Sequence, residues 1–152
     1  MNEKSRSTYD LEERTFQFAK RIRVFIENLP KTPENIEDGK QVIRASGSVG
    51  ANYIEANEAL SKKDFLMRTK ISRKEAKENA CFLRLIQETN ESMFEQEVSE
   101  LHNEAVELKK IFSAIINKSS RWSWGFLNLS IDYYLRFVFC FLVPWLLSSN
   151  FE

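Results

Sequence analysis

Two polar rows stand where chemistry could occur. In the stretch "RASGSVGANYIEANE", Arg44, Ser48, Ala51 and Glu55 follow helical spacing with Asn52 one turn before Glu55, and further along Arg68, Ser72, Glu75 and Asn79 keep the same spacing. Residues three and four apart share a helix face, so the two rows can oppose each other. One outcome is a hydrogen-bonded network of Arg44, Asn52, Glu55, Arg68 and Glu75, with the arginines balancing the carboxylates, because charges away from water must be paired. The other is a ligand or metal pocket inside a bundle. Carboxylate metal sites in helical bundles take Glu-x-x-His from two helices, whereas the lone histidine, His102, has Ser99 three residues before it. "GSVG" at 47–50 is not followed by Lys-Ser/Thr and is no phosphate loop. No nucleophile lies beside a base, so no catalytic residue, metal or cofactor is assigned and the chain reads as a non-enzyme.

The elements that must position these rows are helices. Leu11, Phe18, Ile22, Phe25 and Leu29 lie on one face of a first helix, about 10–29. Thr32 before Pro33 is an N-cap followed by proline at the first helical position, where a missing N–H is harmless. A second helix then runs about 33–59. Ser61 with Asp64 has capping-box spacing and opens a third, about 62–89. Phe94, Val98, Leu101, Ala105, Leu108, Phe112 and Ile115 alternate in fours and threes along a fourth, about 93–118. No segment alternates with period two, so the expectation is an all-α, antiparallel up-down four-helix bundle over residues 1–121.

Gly39, Gly47 and Gly50 fall inside the second helix, where each glycine costs about 1 kcal/mol relative to alanine. Close approach of another helix is the usual offset. Small or apolar residues cover most of this helix, which suggests burial on several sides. Gly47, Gly50, Val49, Tyr53 and Ile54 are therefore expected at a subunit interface, with a tightly packed monomer core as the alternative.

Lys+Arg and Asp+Glu both number 22, giving no net charge. A nucleic-acid partner would need a local basic face. From Ser61 to Arg84 eight basic residues oppose three acidic ones, a net charge of +5, whereas Leu85 to Leu108 holds seven glutamates and no Lys or Arg. Lys62, Lys63, Lys70, Arg73, Lys74 and Lys77 could thus line phosphates. Alternatively, helix three pairs with helix four in its own or a neighbouring subunit. Cys81 and Cys140 match no metal or redox spacing and are expected as packed thiols in a reducing cytoplasm. The polar N-terminus lacks a secretory h-region.

Residues 122–152 differ in kind, with ten aromatics and only Asp132, Arg136 and Glu152 charged. The 11 uncharged residues Phe137 to Leu147 contain Pro144, and fall short of the roughly 17–25 that a membrane helix needs. A hydrophobic segment folded on the bundle or its oligomer, a membrane anchor and a poorly structured extension remain the three readings of this aromatic extension.

The stretch from "LPKTPEN" through "KEAKENACFLRLI" resembles the small four-helix-bundle proteins encoded in intervening sequences of bacterial large-subunit rRNA genes, and is similar to accessory proteins of diversity-generating retroelements. The resemblance runs from about Phe16 to Lys118, and is carried by the R-x-S-x-S-x-G-A-N-x-x-E run from Arg44, by Asp64-Phe65 and by Lys74 to Ala76. It departs at Ala56, where the family commonly has glycine, and in the aromatic tail. The resemblance implies a homo-oligomer, a ring of five bundles, without enzymatic activity. Its retroelement relatives imply an adaptor for RNA or DNA and a reverse transcriptase. The expected function is a non-catalytic homo-oligomeric adaptor on nucleic acid or a nucleic-acid enzyme; the alternative is an interaction protein without nucleic-acid binding, membrane-associated through its tail.

Overall fold

The computed structural model describes residues 11–90 and 92–137, with side chains as far as Ser120. Four α-helices follow one another: α1 (Leu11–Asn28), α2 (Pro33–Asn57), α3 (Lys62–Thr89) and α4 (Glu95–Phe137), the last preceded by a short 3₁₀ turn at Ser92–Phe94. There is no strand among the described residues. The starts are local chemistry. Thr32 Oγ1 accepts from the Asn35 amide at 3.3 Å with Pro33 behind it, and Ser61 Oγ accepts from the Asp64 amide at 3.1 Å, so each side chain satisfies an otherwise orphaned N–H.

Contacts fix an up-down course. Gly39 lies against Ile26 and Gly50 against Thr15, so α2 runs antiparallel to α1. Asn35 meets Asn90 while Glu55 meets Arg68, which turns α3 back along α2. Arg14 pairs with Glu104 and Arg21 with Glu100, and these registers set α4 antiparallel to α1.

The core forms where the apolar spacing predicts. Leu11, Phe18, Ile22 and Phe25 are buried on α1, with Leu29 just past its end, as are Val98, Leu101, Ala105, Leu108 and Phe112 on α4. Across them, Tyr53 and Phe112 set their rings 5.5 Å apart at a tilted 58°, an arrangement that favours the ring quadrupoles. The buried line on α3 is Thr69, Ser72, Ala76, Asn79, Leu83 and Ile86. Arg68 and Glu75, expected on that seam, lie on its flank; the packed positions 69, 76 and 83 hold Thr, Ala and Leu, none of which must keep a charge hydrated.

The fourth helix does not stop near residue 118 but continues to Phe137. Between Lys118 and Phe137 there is no proline and Gly125 is the single glycine, so the stretch holds no strong stop signal. The bundle unit ends at Ile116 and a second unit starts at Asn117, slightly before the expected division at 121/122. Cys140 and residues 138–152 of the segment read as a membrane anchor, a packed segment or an unstructured extension lie outside the described residues. Among the described residues no helix is long and apolar enough to cross a membrane.

Candidate nucleic-acid interface

The buried line of α3 determines what its other side presents. Lys63, Lys70, Lys77 and Arg84 recur every seven residues and are all exposed, so they lie nearly in line, about 10.5 Å apart at 1.5 Å rise per residue. Arg73 is half-buried beside this line and Lys62 is exposed at its start. Cys81 is exposed as well, a correction to its expected burial, because it falls between Lys77 and Arg84 on the outward face.

These cations differ in how far they are committed. Lys74 Nζ lies 3.0 Å from Glu75 and 3.5 Å from Glu78, and the hydrogen bond and charge of Glu75, then Glu78, hold its ammonium above the ordinary lysine pKa. Arg84 Nε pairs with Glu88 at 2.8 Å, and its pKa is likewise raised. Lys62, Lys63, Lys70, Arg73 and Lys77 form no ion pair among the described residues.

The glutamates of α4 do not neutralise this face within the chain. Glu104 takes Arg14 through two bonds of 2.6 and 2.9 Å, Glu100 takes Arg21 at 2.9 Å, and Glu107 takes Lys110 at 2.7 Å. These three glutamates are therefore matched to α1 and to α4 itself, and no described ion pair joins α3 to α4. Pairing between these helices of one subunit, one of the two readings of the charge pattern, has no described contact.

The expected polar network is only partly brought together. Arg68 Nη2 lies 3.7 Å from Glu55 and its Nε 3.7 Å from Asp64, too long for hydrogen bonds, so the buried Nε has no acceptor. Asn52 Nδ2 donates to the Ser48 carbonyl of its own helix at 2.9 Å. Glu75 is nearly buried and turns to Lys74, while Arg44 is exposed without a described ion pair. Asn79, fully buried, donates to the Glu75 carbonyl but leaves its Oδ1 without a donor. Among the described residues no cluster of three His, Cys, Asp or Glu is placed to hold a metal.

The residues expected at a subunit interface divide. Val49 is fully buried in its own bundle and Tyr53 packs at a tilt against Phe112. Gly50 admits α1 of the same chain, since a Cβ there would stand 3.2 Å from Thr15 Oγ1. Gly47, Gly50 and Ile54 line an open groove between α1 and α2. Phe16, Lys20 and Glu12, absent from the sequence-derived interface, line it too; Phe16 falls off the apolar line of helix one, which was the available signal.

A four-helix, all-α bundle is the class the fold defines. The chain belongs to the 23S rRNA-intervening sequence protein family, whose model matches residues 8–114. A solved structure from Bacteroides thetaiotaomicron VPI-5482, a protein of unknown function from the S23 ribosomal protein family, is 30% identical. It covers 70% of this chain and 97% of its own, with a TM-score of 0.63. No curated protein matches. Neither the family description nor that of the solved structure names a reaction.

Proposed function

We propose that this chain is a non-catalytic, self-associating cytoplasmic adaptor that binds nucleic acid through the outer face of α3, by itself or together with a nucleic-acid enzyme such as a reverse transcriptase. The observation that carries the reading is the row of Lys63, Lys70, Arg73 and Lys77, which has no described ion pair, while the α4 glutamates Glu100, Glu104 and Glu107 are taken by α1 and Lys110. The chain has no net charge, so attraction for a polyanion must come from such a local face. Four cations reaching phosphates give a slope of roughly −3 to −4 in log affinity against log salt. Contacts of this kind fix position on the backbone and carry no sequence information of their own.

Fluorescence anisotropy with a labelled 20-base-pair RNA, titrated at several salt concentrations, tests this. Affinity that falls with the stated slope and is lost in a Lys63→Glu, Lys70→Glu, Lys77→Glu variant supports it. Absence of binding at low salt, or unchanged binding in the variant, leaves an interaction protein without nucleic-acid binding.

A further inference from the structure

The basic face of α3 has a shape as well as a charge. Lys63, Lys70, Lys77 and Arg84 are exposed at seven-residue steps, and Met67, Lys74 and Cys81, exposed as well, fill the gaps between them in alternating fours and threes. Residues so spaced share one face of a helix. From Lys63 to Arg84 this row therefore holds no carboxylate, and it extends over about 30 Å. Neither glycine nor proline falls within α3, so its sequence contains no kink signal. The face is convex, being the outside of a packed helix, and bears no exposed aromatic side chain. Phe65 and Phe82 are half-buried, and the one exposed aromatic among the described side chains, Phe16, lies on α1.

We infer that the partner of this row is a double strand rather than a single one. The inference rests on the nucleic-acid reading above and names its substrate class. A duplex offers one negative charge per about 1.7 Å of axis, against about 3.4 Å along one strand, so a straight row of cations meets a denser line of phosphates. A duplex is also straight beforehand, because DNA bends little below its persistence length of about 50 nm. A flexible single strand must instead be drawn out along the row, and that ordering opposes binding. Proteins that hold single strands offset the cost by tracking the backbone in a groove and stacking the bases on aromatic rings. The convex row of α3 has no exposed ring to do so.

Fluorescence anisotropy on the full chain tests this by comparing a labelled 20-base-pair RNA duplex with a labelled oligouridine of the same length, which does not pair with itself. At equal salt the duplex is expected to bind about tenfold more tightly, with the steeper salt dependence. Maleimide alkylation read by peptide mass spectrometry reports Cys81 separately from Cys140. The duplex is expected to slow it severalfold at Cys81, since that exposed thiol stands between Lys77 and Arg84 in the row. Oligouridine bound as tightly as the duplex overturns the inference; if the Lys63→Glu, Lys70→Glu, Lys77→Glu variant then loses both probes, the basic face still stands. Bound duplex that leaves Cys81 as reactive as in the free chain overturns the inference too, because the duplex then lies elsewhere. Binding of neither probe removes the nucleic-acid reading itself.

Discussion

Asn35 and Asn90 hold each other by both ends of their side-chain amides. Asn35 Nδ2 donates to Asn90 Oδ1 at 2.7 Å, and Asn90 Nδ2 donates to Asn35 Oδ1 at 2.9 Å. Each amide also donates to a backbone carbonyl, Pro30 for Asn35 and Ile86 for Asn90. One pair, Asn35 buried and Asn90 half-buried, thus ties the α1–α2 connection and the start of α2 to the end of α3.

Removing Asn35 leaves the half-buried Asn90 amide without its partner. Asn35→Ala is expected to destabilise the bundle by about 1–3 kcal/mol. Urea unfolding followed by circular dichroism measures it; a midpoint equal to wild type would show that water replaces the pair without loss.

The glycines of α2 are expected to respond in opposite directions. A Cβ at Gly39 would stand 2.7 Å from Ile26 Cγ2, on a β-branched side chain that is stiff at χ1. Gly39→Ala therefore lowers stability by about 1–2 kcal/mol through overpacking. Gly47→Ala has room and gains helix propensity, up to about 1 kcal/mol. Thermal melts at a concentration where the chain is monomeric compare them, and equal shifts would contradict the close approach at Gly39.

The two ion pairs between α1 and α4 should differ in worth. Arg14 and Glu104 are bidentate and about a quarter to a third exposed, 32% and 24%, whereas Arg21 and Glu100 share one bond at 46% and 54% exposure. Double-mutant cycles are expected to give about 1 kcal/mol for the first and under about 0.5 kcal/mol for the second. Adding salt should diminish the second more. A reversed order would contradict the α1–α4 register that makes the first pair bidentate.

Two carboxylates should titrate on opposite sides of their ordinary values. Desolvation, with Glu34 one turn away, raises Asp38, so its unfavourable contribution is absent in acid and grows as pH rises through the carboxylate range. The Lys110 hydrogen bond, then its charge, lowers Glu107; that contribution is present above the unfolded value and is lost as pH falls through the folded one. Carboxyl NMR titration reads both. Lys110→Ala should return Glu107 toward its ordinary value and leave Asp38 where it is.

Much of the bundle is legible in the sequence because its signals are local. Thr32 and Ser61 cap the amides three residues on, as their spacing predicts, and the line from Leu11 to Leu29 is the buried face of α1. What spacing does not name is the neighbour. Gly50 announces a close approach, but that Thr15 of the same chain makes it is a tertiary fact. The glutamates of α4 announce a basic partner, and lysines on α3 and arginines on α1 satisfy that pattern equally until the registers of Arg14 and Arg21 are seen. Thr69 and Ala76 pack as readily as they stay solvated, so the α3 seam reads one position off at Arg68 and Glu75, whereas Ser72 and Asn79 fall on it. The groove beside Phe16 depends on two helices at once and is invisible in either alone.

The most direct test of the basic face sets position against charge. Duplex RNA affinity would be compared between a variant reversing Lys63, Lys70 and Lys77, which form no described ion pair, and one reversing Arg21, Lys40 and Lys110, which lie off α3 and are each already held by a glutamate. The net charge change is the same in both. Affinity and its salt slope are expected to collapse in the first and to change little in the second. Equal loss in both, or no binding to begin with, would contradict a nucleic-acid interface on α3.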